Sequence, residues 1–122
     1  GSCATIAAHY RRPVLLQFGR NQDVLRADHL KQLGEIAAAL APCQDIGVLI
    51  RGFTDNRGAD RRNAVLSRKR ADLAARFIEA KGIDRGRLTV SSFASAAPVA
   101  SNATEAGRAR NRRVELTVQP TR

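Results

Sequence analysis

The chain has 122 residues, 43% of them hydrophobic, which suits one compact domain with a single core. No apolar run approaches the ~20 residues of a membrane-spanning helix, and no stretch reads as a signal peptide. Lys and Arg total 21 against 11 Asp and Glu, a net charge of +10 that favours polyanions such as nucleic acid, anionic lipid or a carboxylate-rich wall polymer.

Two observations temper the charge. Arg outnumbers Lys eighteen to three, a bias that a GC-rich genome also produces. The five aromatic residues, Tyr10, Phe18, Phe53, Phe77 and Phe93, are scattered rather than arrayed as a stacking platform for single-stranded nucleic acid. Cys3 and Cys43 have no metal-type spacing. They are either one disulfide, permitted in an oxidising compartment, or two unrelated thiols.

In chain order, Gly1-Ser2 reads as a cloning scar, with the expectation that a natural N-terminus and any anchor it carried are missing. Residues 1–12 form a lead-in without a clear period, and residues 13–120 the domain. Val14 to Phe18 reads as a strand, and Gly19 to Asp23 breaks it. Asp23 to Ala41 reads as a helix with Leu30, Leu33, Ile36, Ala37 and Leu40 on one arc, ended by Pro42. Asp45 to Phe53 reads as a second strand.

Ala59 to Lys81 reads as a second helix, closed by Gly82. Its apolar stripe is Leu66, Leu73, Phe77 and Ile78, with Ala71 and Ala74 between. Arg61, Arg68, Lys69, Asp72, Arg76 and Glu79 fall opposite. Leu88 to Phe93 reads as a third strand, Ala94 to Gly107 as a loop and Arg112 to Gln119 as a fourth strand. The fold class is α/β (α+β): a β-α-β-α-β-β mixed sheet with two main helices on one face.

One corner collects polar residues. On the second helix Asn63, Ser67 and Arg70 share an arc of about 60° on the side of the apolar stripe. Thr54 and Asp55 stand at the exit of the strand before it. Buried polar groups need partners. These residues either form a local network, with Asp55 capping the turn amides of Asn56-Arg57-Gly58 or pairing with Arg70 and with Asn63 and Ser67 bonded to backbone, or form a site for a zwitterion, with the acid for an ammonium and the base for a carboxylate. No catalytic set accompanies them. His9 and His29 are isolated, Ser67 has no histidine beside it, and neither a carboxylate pair nor a zinc set is spaced for hydrolysis.

The stretch Arg51 to Ala71 resembles the core motif of the OmpA-like domain, the peptidoglycan-binding module of OmpA, peptidoglycan-associated lipoproteins and flagellar stator proteins. It carries Gly52, Phe53, Thr54, Asp55, Gly58, Asn63, Leu66, Ser67, Arg70 and Ala71 at the family spacing. Pro98 to Glu115 is similar to a second family signature, P-x-x-x-N-x-T-x-x-G-R-x-x-N-R-R-V-E. The likeness runs from Leu15 to Val118.

The resemblance implies non-covalent peptidoglycan binding, with Asp55 and Arg70 holding the diaminopimelate of the stem peptide. Thr54, Asn63 and Asn21 join the ligand-binding candidates, as do Arg112 and Arg113, of which strand alternation lets one face the site. It also implies a non-enzymatic, cofactor-free wall tether in the periplasm of a Gram-negative envelope. Other envelope proteins are possible partners, nucleic acid is not expected, and membrane contact would come only through an absent anchor. The chain departs from the family at Phe53, where His or Tyr is common. It departs again at Ser92-Phe93-Ala94-Ser95, where two glycines are common. These departures leave one rival reading, an assembly module with a weakened wall site, and the net charge of +10 leaves another, an anionic-polymer or nucleic-acid binder.

Overall fold

The computed structural model describes residues 2–121; Gly1 of the expected cloning scar and Arg122 lie outside the described residues. The elements are α1 (Cys3–His9), β1 (Val14–Gln17), α2 (Ala27–Leu40), β2 (Ile46–Phe53), α3 (Asp60–Ala80), a 3-10 turn (Arg85–Arg87), β3 (Leu88–Ser92), α4 (Glu105–Asn111) and β4 (Arg113–Pro120). The sheet order is β1-β4-β2-β3. β4 runs antiparallel to both neighbours, and β3 is parallel to β2, which requires the long crossover that α3 supplies.

Helices α2 and α3 pack on one sheet face. Leu16, Val48, Ile50, Val114 and Leu116 from the strands meet Leu33, Ile36 and Leu40 of α2 and Ala71, Ala74, Ala75 and Ile78 of α3. The alanines let α3 lie close to the sheet, and Gly52 brings it closer still. A Cβ on Gly52 would sit 1.9 Å from the Ser67 carbonyl oxygen, so any side chain there would push α3 off β2. This contact sets Asn63, Ser67 and Arg70 beside the β2 exit.

Three local readings differ from the structure, and a fourth, left open, is settled by it. The lead-in forms α1, started by the Ser2 Oγ, which accepts from the Thr5 N–H at 3.1 Å. Cys3 is bonded to Cys43, which ties α1 to the segment after α2 and resolves the open pairing as a disulfide. Helix α2 begins at Ala27, not Asp23, and Leu30 lies on its solvent side. The expected loop before β4 contains α4: Thr104 Oγ1 accepts from the Gly107 N–H at 3.0 Å, a helix-starting cap.

Backbone details support the turns. Gly82 takes φ +102 at the end of α3, as a C-terminal glycine does. His29 is buried. Its Nε2–H donates to the Gln17 carbonyl at 2.9 Å, so its Nδ1 accepts from the Arg26 N–H at 3.2 Å.

Candidate functional site

Three segments converge at the β2 exit: Thr54 and Asp55 after β2, the first turns of α3, and Arg112 between α4 and β4. With Arg20, Asn21, Arg57 and Gly58 they line a narrow cleft of about 30 Å³. Of the expected site residues, Asp55, Thr54, Asn63, Arg70, Arg112 and Asn21 line it. Arg113 does not. It points to the other face of the sheet, where its guanidinium lies 3.8 Å from the Phe53 ring centre and pairs with Glu115 at 2.8 Å.

Asp55 and Arg70 do not pair with each other. Asp55 Oδ2 accepts from Arg112 Nη1 at 3.1 Å, with the two side chains 6% and 7% exposed. Asp55 Oδ1 accepts from the Arg57 N–H at 2.9 Å, which closes the turn into α3. Arg112 also donates to Glu105 at 2.9 Å and to the Phe18 carbonyl at 2.9 Å. Burial works against the charge of Arg112, but the carboxylates of Glu105 and Asp55 outweigh it and hold its pKa above the ordinary value.

Arg70 is fully buried and has no carboxylate partner. Its guanidinium donates to the carbonyls of Gln22, Phe53 and Gly19 at 2.9, 3.2 and 3.1 Å. Burial, then the nearby charge of Arg112, pull its pKa down to about 10. The group stays charged at neutral pH, yet three of its five N–H groups meet only carbonyls. Asn21, at φ +61, makes the turn that presents Gly19 and Gln22 to it; Asn tolerates that left-handed geometry.

The remaining polar residues hold the corner together. Asn63 Nδ2 donates to the Arg57 carbonyl at 3.0 Å. Thr54 Oγ1 donates to the Asp55 carbonyl at 2.8 Å. Ser67 Oγ donates to the Ala64 carbonyl and accepts from the Ala94 N–H at 3.2 Å, which fastens the turn after β3 to α3. That turn has Ala94 at φ +52 in place of a glycine. Ala59, at the start of α3, makes no side-chain cap, so the first N–H groups of the helix remain available to an anion.

The sequence does not single out Glu105, which braces Arg112, or the rim arginines Arg20 and Arg57; Arg62 belongs to a basic run, Ala59 to Arg62, that the sequence marks as able to widen affinity for acidic groups. Glu105 stands inside the second signature. Among the described residues no cluster of His, Cys, Asp and Glu could hold a metal ion, and no helix is long and apolar enough to cross a membrane. A larger open depression, about 530 Å³, runs along the outer face of α3 past Val65, Arg68 and Arg76. One helix alone lines it, and its Arg68 and Asp72 are paired with each other at 3.3 Å.

Residues 17–112 match the OmpA family. The chain belongs to that family. It is 38% identical over 103 residues to the peptidoglycan-binding protein ArfA of Mycobacterium tuberculosis, a match covering 84% of this chain and 32% of ArfA. The chain thus spans about a third of the length of that relative. Among solved structures, the peptidoglycan-associated lipoprotein of Burkholderia pseudomallei superposes with a TM-score of 0.83 at 28% identity, covering 86% of this chain and 89% of the other. The cell wall anchor of the T6SS from Pseudomonas aeruginosa superposes with a TM-score of 0.75 at 33% identity, covering 96% and 92%. These OmpA-family structures share the mixed sheet described above.

Proposed function

We propose that this OmpA-family domain binds peptidoglycan non-covalently in the cell envelope and ties a larger protein to the wall, without catalysing a reaction. Its similarity to ArfA, to a peptidoglycan-associated lipoprotein and to a cell wall anchor supports the wall as partner. The observation that carries the reading at atomic level is the cleft itself. A buried guanidinium without a carboxylate, Arg70, stands beside a buried aspartate, Asp55.

That pairing suits diaminopimelate, whose side-chain carbon bears both an ammonium and a carboxylate. Asp55 accepts from the ammonium, in place of part of its bond to Arg112. The carboxylate meets the two N–H groups of Arg70 that the carbonyls leave over and the open amides at the start of α3. Thr54, Asn63 and Asn21 shape the walls. The surrounding dry packing raises the worth of each charge–charge contact above its value in water.

Retention on purified sacculi, with and without a competing diaminopimelate peptide, tests this function. The expected result is retention that the peptide abolishes. Sacculi that fail to retain the folded domain contradict it.

A further inference from the structure

The cleft carries more positive charge than one diaminopimelate can answer. Five guanidiniums line it, those of Arg20, Arg57, Arg62, Arg70 and Arg112, against the single carboxylate of Asp55. Asp55 is already engaged by Arg112. The side chains of Arg20, Arg57 and Arg62 make no hydrogen bond or ion pair among the described residues. Arg62 is exposed, but its guanidinium lies over the cleft mouth: its Nη1 lies 3.4 Å from where a Cβ on Gly58 would stand, and its charge helps depress the Arg70 pKa. Gly58, at φ +87 and without a side chain, leaves the space into which that guanidinium leans.

A ligand with one ammonium and one carboxylate is neutral and would leave three rim cations unanswered. Like charges gathered round the mouth of a narrow cleft repel, even where solvent screens them, and each anionic group brought among them relieves that repulsion. Arginine also suits carboxylates through its planar fork.

We propose that the rim arginines Arg20, Arg57 and Arg62 read a second carboxylate, so that the site takes a peptide with one ammonium and at least two free carboxylates. Resting on the diaminopimelate reading above, the second group is the α-carboxylate of the γ-linked glutamate next to diaminopimelate in the stem peptide. Amidation of that carboxylate keeps its shape and removes its charge. Wall binding by this domain is therefore graded by the amidation state of the stem peptide.

Calorimetry with synthetic N-acetyl-γ-glutamyl-diaminopimelate peptides tests this, using the free acid, the form amidated at the glutamate α-carboxylate, and N-acetyl-γ-glutamyl-glutamate as a carboxylate source without the side-chain ammonium. The wild-type domain should bind the free acid about five- to tenfold more tightly than the amidated peptide. The R20Q/R57Q/R62Q variant should bind both with nearly equal affinity, and γ-glutamyl-glutamate should bind weakly to either protein. Equal wild-type affinity for the free and amidated peptides overturns the rim assignment while leaving the diaminopimelate reading standing. So does a preference that survives in the triple variant. Tight binding of γ-glutamyl-glutamate shows attraction to any polycarboxylate and overturns it too. If neither diaminopimelate peptide binds, both readings fail.

Discussion

Asp55 holds Arg112, not Arg70, at 3.1 Å, and Arg70 is left to three backbone carbonyls. Removing one member of a buried ion pair strands the other, a loss that exceeds the worth of the pair itself. In the Asp55→Asn variant Arg112 keeps Glu105 and the Phe18 carbonyl, but an amide N–H or a weaker acceptor faces its guanidinium. The variant should lose about 2–4 kcal/mol of stability and bind diaminopimelate peptide at least tenfold more weakly. Urea unfolding and calorimetry on the same sample separate the two effects. Unchanged stability would contradict the buried pair.

The turn after β3 bends at Ala94 with φ +52. A non-glycine residue there costs about 1–2 kcal/mol. Its amide and carbonyl bond to Ser67 and to the Thr54 N–H, so the turn keeps its form whatever the side chain. Ala94→Gly removes the steric cost and loosens the unfolded chain in exchange. The variant should match or exceed wild-type stability, by up to about 1 kcal/mol. A clear loss in urea midpoint would show that the alanine methyl matters for packing.

Much of the β2–α3 corner was legible in the sequence because its signals are local: apolar alternation, helical period and the spacing from Asp55 to Arg70. The partner of Asp55 was not. Arg112 reaches it across 57 positions, through the register of β4 against β2. Arg70 was misread as a candidate partner for Asp55 because its acceptors are carbonyls, which leave no mark in a sequence. Helix α1 has too few residues to show a period, and a serine cap and a disulfide hold it. Helix α4 is equally short, though its Thr104 cap lay in view.

His29 gives the fold a sensitivity to acid. Burial, then the charge of Arg26, hold its pKa below the ordinary 6.5. The unfolded chain therefore takes up this proton first, and stability falls as pH drops from about 6.5 through the lower folded value. Protonation would also put a proton on Nδ1, which accepts from the Arg26 N–H. His29→Gln should flatten the decline in urea midpoint between pH 7 and pH 5 relative to wild type. Parallel declines in the two proteins would contradict this source of acid sensitivity.

The Cys3–Cys43 bridge spans 40 positions and ties α1 to the body of the domain. In the chain-entropy model a loop of that size is worth about 4 kcal/mol. Reduction should lower the unfolding free energy by up to that amount. Peptide affinity should stay unchanged while the domain remains folded, since no residue of α1 lines the cleft. Loss of affinity in reduced, folded protein would place α1 in the site.

The most direct measurement is calorimetry of the wild-type domain with two peptides that differ only in diaminopimelate or lysine. Lysine keeps the ammonium for Asp55 and lacks the carboxylate for Arg70. Arg70, buried and without an acid of its own, should make the lysine peptide bind about five- to a hundredfold more weakly, a difference of about 1–3 kcal/mol. The same substitution should make little difference to Arg70→Gln if that variant stays folded. Equal affinity of the wild type for both peptides would contradict the assignment of Arg70 to the ligand carboxylate.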